Sequence, residues 1–102
     1  MLDFSSAQNL KQFSMPTDKP LFLILKKEFF DQIASGEKSV EYREATPYWR
    51  NRLKKPFATV LFQLGYEKNA PRLVADIVSI NLVDGYYEIT IKNVRNFVQP
   101  AP

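Results

Sequence analysis

Between residues 38 and 43 the chain brings together an ammonium, a carboxylate and a guanidinium: Lys38, Glu41 and Arg43. Side chains two apart on an extended segment share a face, so Glu41 and Arg43 point the same way. An arginine fork grips a phosphate or a base edge in two places, while a carboxylate accepts from a base amino group or a ribose hydroxyl. The same two residues serve equally as a structural ion pair that closes a barrel. Strict alternation sets Lys38 on the opposite face. A bulge at the preceding turn, or the reach of the long lysine stem, is then needed to bring it to Glu41.

Two further clusters carry similar chemistry. Tyr48-Trp49-Arg50-Asn51-Arg52 interleaves rings and cations. Tyr48 is the stacking candidate, a contact worth about 1–3 kcal/mol per base in single-strand binders, and Arg50 and its basic neighbours would meet phosphates. Trp49 and Leu53, four apart, suit the core side of a helix. Tyr66, Lys68, Asn69 and Arg72 surround Gly65 and Pro71, which marks a loop between strands. There Asn69 offers an amide to a base and Arg72 a guanidinium to a phosphate, although a polar hairpin tip accounts for the same residues.

Composition narrows the options. Fourteen Lys and Arg against eleven Asp and Glu give a net charge of +3, which favours anionic partners without forming a polybasic arm. There is no Cys and no His, which excludes disulfides, thiolate metal sites, cysteine nucleophiles and every Ser-His-Asp arrangement. No cofactor or metal is expected, and any catalysis falls to Lys, Glu, Asp, Tyr, Ser, Thr or Arg. The opening Met1-Leu2-Asp3-Phe4-Ser5 lacks the basic start and apolar run of a secretory signal. The longest apolar run, Leu21–Leu25, is far shorter than the roughly twenty residues a membrane helix needs. A soluble cytoplasmic protein is expected.

The elements that must position these groups follow from pattern. A chain of 102 residues fits one domain. Residues 1–20 read as an N-terminal arm, with a short helix capped by Ser5 or Ser6 and running to Phe13, from which Leu10 and Phe13 would dock on the rest. Leu21–Leu25 has the density expected of a strand buried on both sides. Residues 27–36 read as an amphipathic helix with Phe29, Phe30, Ile33 and Ala34 on one face and Gly36 as its left-handed stop. Residues 38–43 read as a strand, and Thr46 and Pro47 as cap and first residue of a short helix. Residues 57–64, 73–83 and 86–94 read as strands, with Asp84-Gly85 as a hairpin turn. Phe29, Phe30, Phe57 and Phe62 are assigned to the core, and residues 97–102 to a disordered tail. About five to six strands with one or two short helices argue for an α+β fold, a small mixed barrel over residues 21–96.

The succession of a buried strand, a short aromatic helix and Gly-x-Lys-x-x-Glu-x-Arg, here Gly36, Lys38, Glu41 and Arg43, resembles the ASCH (activating signal cointegrator homology) domain, a branch of the PUA-like β-barrels. The likeness extends from about residue 21 to residue 94, including Gly65-Tyr66 and the strand with Arg72 and Ala75-Asp76-Ile77. It implies a barrel with an open cleft beside the motif, proposed in the family for RNA-related ligands.

Three functions are therefore expected in order. The first is a module that binds RNA or a nucleotide, with Lys38, Arg43 and Arg72 on phosphate and Glu41 or Asn69 on the base. The second is a small hydrolase, since some bacterial ASCH proteins cleave the amide of N4-acetylcytidine with a Lys, a Thr and a Glu. Lys38 matches that lysine, whereas Glu41 stands where the threonine would be. A variant of this reading has Glu41 activate water or a ribose hydroxyl while Lys38 and Arg43 stabilise developing charge, in an amidohydrolase or a metal-independent ribonuclease. The third is a protein-interaction module using the arm and the loop around Tyr48.

Overall fold

A computed structural model describes residues 19–97. The expected helix over residues 5–13, its docking residues, and the tail from residue 98 onward lie outside them. The described part is α+β, with five strands and two short helices in the order β1 (Leu21–Leu25), α1 (Lys27–Ser35), β2 (Val40–Glu44), α2 (Pro47–Arg52), β3 (Thr59–Leu64), β4 (Arg72–Val83) and β5 (Tyr86–Asn96). The strands form one mixed sheet in the order β1-β3-β4-β5-β2, curled as a half-barrel. Only the β1–β3 pair is parallel, and α1 supplies part of the crossover that such a pair requires. Among the described residues no helix is long and apolar enough to cross a membrane.

The core lines the concave side of the sheet. Leu21, Leu23 and Leu25 of β1, Val60 and Phe62 of β3, Leu73 and Ala75 of β4, and Ile89 and Ile91 of β5 are buried together with Phe30 and Ile33 of α1. These strand positions alternate, as the pleat demands. The α1 helix packs on β3 and β5 and stops where Gly36 takes φ 84°, its N–H donating to the Ile33 carbonyl at 3.1 Å. The Lys38 N–H then donates to the Gln32 carbonyl at 3.0 Å, which turns the chain sharply back toward the sheet before β2 begins.

Two sequence expectations are corrected here. Leu21–Leu25 is not buried on both sides. It is an end strand of the described sheet, with Phe22 exposed and Ile24 half-buried, whereas the neighbouring interior strand β3 has Val60, Leu61, Phe62 and Gln63 all buried. A dense apolar run does not by itself give two core faces: here the outer face carries Phe22 under the Arg72 guanidinium and Ile24 at the border of a cleft. For the same reason Phe29 is not a core residue: adjacent helical positions are about 100° apart, and with Phe30 buried, Phe29 remains 37% exposed. Ala34 is also exposed. Phe57, Trp49 and Leu53 pack partly buried against the core.

The β4–β5 hairpin is longer than its neighbours. Asp84 and Gly85 both take positive φ, 51° and 82°, the combination of a tight type I′ turn. β3 pairs with β4 only from Arg72 to Asp76, whereas β5 accompanies β4 to Val83. Register shifts between Val74 and Asp76 and between Ile77 and Ser79 interrupt the β4–β5 ladder.

Candidate functional site

β1 and β2 terminate the described sheet at opposite ends, and a side chain links them. The Arg43 guanidinium donates from Nη2 to the Ile24 carbonyl on β1 at 3.2 Å and meets Glu41 Oε2 at 3.1 Å. The other oxygen of Glu41, Oε1, lies 3.4 Å from Lys38 Nζ. Glu41 is only 6% exposed, so a carboxylate taken out of water is held by two cations that remain about one-fifth exposed, at 19% and 22%. Its two oxygens fix where both cations point.

Lys38 reaches Glu41 without any strand bulge, because Lys38 and Ser39 precede β2 and alternation does not govern them. The tie from Lys38 to Gln32, and a bond from the Ile91 N–H to the Ser39 carbonyl at 3.0 Å, hold this link in place. Lys38 Nζ also lies 5.6 Å from the Phe29 ring centroid and 5.2 Å from that of Tyr42, within cation–π range. Arg43 is backed by Trp49, with 5.5 Å from its central carbon to the ring centroid. Its Nε is buried without a hydrogen-bond partner among the described residues. That costs about 1–3 kcal/mol, which the carboxylate, the carbonyl and the indole face must outweigh for the clasp to hold.

Beside this clasp lies a cleft of about 630 Å³, lined by the end of β1 with Lys26, by Phe29, by Lys38 and residues 41–43, and by Gly65 and Tyr66 beyond β3. Three cations against one carboxylate leave it positive, and three rings border it. Glu41, Tyr42 and Arg43 all reach the cleft although neighbours on a strand face opposite ways, because β2 ends the described sheet and the cleft runs along its edge.

Of the residues singled out by sequence, Lys38, Glu41 and Arg43 meet at one site. Tyr48, Arg50, Asn69 and Arg72 do not line it. Tyr48 is exposed on α2, its ring edge-on to Trp49 with centroids 5.0 Å apart. The Arg50 Nε donates to the Ala45 carbonyl at 2.9 Å. Asn69 is exposed in the β3–β4 loop with φ 69°. Arg72 begins β4, donates from Nε to Gln63 Oε1 at 2.9 Å, and rests over Phe22 with 5.8 Å from its central carbon to the ring centroid. The Gln63 amide in turn donates to the Gly65 carbonyl at 2.7 Å, so Arg72 steadies the loop that carries Tyr66.

Sequence reasoning did not assign Lys26, Phe29, Tyr42 or the Ile24 carbonyl to the site. The adjacent Phe29-Phe30 pair carried a usable signal, since one helix face cannot bury both rings. The carbonyl left none, because a backbone acceptor has no residue identity. No protein-family model and no curated protein sequence matches this chain.

Proposed function

We propose that the chain is an ASCH-like, PUA-like module that holds a short single-stranded RNA segment or a nucleotide in the cleft between β1 and β2. One observation carries the reading: a buried carboxylate, Glu41, presents Lys38 and Arg43 on the wall of a positive, ring-bordered cleft. A volume of about 630 Å³ falls within the range of small-ligand sites, and a nucleotide combines the two features such a wall recognises, an aromatic plane and an anion. Lys38 and Lys26 meet phosphate. Tyr66 and Phe29 offer faces to the base. Arg43, already engaged by Glu41 and Ile24, fixes the width of the cleft and adds positive potential. An RNA ligand would suit a cytoplasmic location.

The hydrolase alternative draws less from this geometry. Both Glu41 oxygens face cations, an arrangement that orients charge rather than freeing a carboxylate to take a proton from water. Fluorescence anisotropy with short single-stranded RNAs tests the binding reading. The expected result is binding at about 50 mM salt that weakens on a log–log plot by about 0.7 per phosphate contacted, with a shallower slope for Lys38→Gln. Absence of binding for several sequences at that salt concentration would refute it.

A further inference from the structure

The far end of the β4–β5 hairpin carries a second surface that shares no residue with the cleft. Because β3 stops pairing at Asp76 and the Ile77 N–H donates to the Ala58 carbonyl at 2.9 Å, residues 78–83 have no second strand beside them among the described residues. Their outer edge therefore presents backbone donors and acceptors in a row. Natural sheets blunt such edges with charge or proline, but residues 78–83, Val-Ser-Ile-Asn-Leu-Val, contain neither.

The register shift between Ile77 and Ser79 changes what this edge displays. Ile77 is paired with Ile91 and Ile80 with Ile89, and both partners are buried in the core. With one residue inserted, the inward side passes from Ile77 to Ile80 and Leu82, whereas uninterrupted alternation would have turned Ser79 and Asn81 inward. The concave apolar side thus continues past the closed core into an open groove of about 460 Å³, lined by Leu53, Phe57, Ile80 and Leu82 with Lys54 and Lys55 beside them. Val78 and Leu82 are 55% and 50% exposed. None of the described residues lining the groove is acidic.

We propose that this edge is a strand-addition site for an extended, acidic peptide segment of a partner protein. The segment pairs its backbone with residues 78–83, sets alternate apolar side chains against Ile80 and Leu82, and brings carboxylates to Lys54 and Lys55. Backbone pairing of this kind gives affinity, and alternate side chains in the groove give specificity. The two lysines favour an acidic occupant over a second copy of this chain, which has a net charge of +3 and carries the same two lysines.

The test uses the full chain, isotope-labelled, with a synthetic peptide of about ten residues alternating Leu and Thr between pairs of Glu, and a counterpart flanked by Lys. The expected result is saturable amide shifts and slowed hydrogen exchange over residues 78–83 with the Glu-flanked peptide. The Lys-flanked peptide should bind about tenfold more weakly, as two exposed ion pairs allow. The double variant K54E/K55E should reverse that preference. Val78→Asp, at an exposed position where folding tolerates charge, should abolish binding to the Glu-flanked peptide. Shifts confined to other surfaces, or no saturable shift at all, would overturn the proposal. So would self-association in sedimentation equilibrium that Val78→Asp abolishes while neither peptide binds, since the edge would then belong to a second copy.

Discussion

Replacing Glu41 by Gln removes one negative charge and keeps the side chain's size, leaving Lys38 and Arg43 facing a neutral amide. Breaking a buried ion pair by removing one partner costs about 3–5 kcal/mol. Here the carboxylate is buried, but both cations keep about one-fifth of their side-chain surface in water, at 19% and 22%, so solvent recovers part of that cost. A loss of about 2–3 kcal/mol follows, and at about 4–8 °C per kcal/mol for a domain of this size the midpoint of thermal unfolding falls by roughly 10–20 °C. Urea unfolding with linear extrapolation measures the free energy, and calorimetry the midpoint. The double variant Lys38→Met with Glu41→Gln should lose less than the sum of the single variants, because the two groups interact directly. The loss should change little with added salt, unlike that of an exposed pair. A destabilisation below about 0.5 kcal/mol, the scale of an ordinary surface substitution, would refute the idea that Glu41 is the buried anchor of the clasp.

Other outcomes follow from the same geometry. Tyr66, 86% exposed, should tolerate Ala within about 0.5 kcal/mol of stability, while affinity for single-stranded RNA falls by about 1–3 kcal/mol if a base stacks on it; paired unfolding and anisotropy measurements separate the two. Gly36→Ala meets no atom within 4 Å, but φ 84° disfavours any side chain, so a loss of about 1–2 kcal/mol is expected in urea unfolding. Asp76 should contribute to acid sensitivity. The Asn93 amide, at 2.8 Å, holds its carboxyl below the ordinary value; burial opposes this, and Arg95, at 3.2 Å, and Lys92 reinforce it. A depressed folded-state pKa means the stabilisation is complete above the unfolded value of about 3.9 and is lost as pH falls through the folded value. The stability gap between the wild type and Asp76→Asn should therefore be constant near neutrality and narrow below about pH 4; a gap that stays constant down to pH 2 would contradict the assignment.

Much of the fold was legible because it rests on local signals. Asp84-Gly85 marked the hairpin that its two positive φ values form. Thr46 and Pro47 marked the start of α2, where the Trp49 N–H donates to Thr46 Oγ1 at 3.3 Å. In β5, Ile89 and Ile91 alternate in sequence with Glu88, Thr90 and Lys92, and both are buried. The strand pairing was not legible. Leu21–Leu25 looked buried on both sides because its outward residues are apolar too, although Phe22 lies under Arg72 and Ile24 borders the cleft rather than core. The Glu41–Arg43 pair emerged from spacing, yet the placement of Lys38 beside it depended on a turn tied to Gln32, and backbone bonds of that kind leave no residue signature. Arg50 and Arg72, cations that looked ligand-bound in the sequence, are engaged with Ala45 and Gln63. A basic residue next to a loop is as readily a local brace as a phosphate contact.

The most direct test of the binding cleft is an amide NMR titration of the labelled chain with a short single-stranded RNA and with single nucleotides, beside Glu41→Ala and Arg43→Ala. Saturable shifts clustered on residues 38–43, Phe29 and Tyr66, and lost in both variants, are the expected result. Shifts that avoid these residues, or a spectrum unchanged by every ligand at low salt, would contradict the reading and leave the Glu41–Arg43 pair as a structural clasp alone.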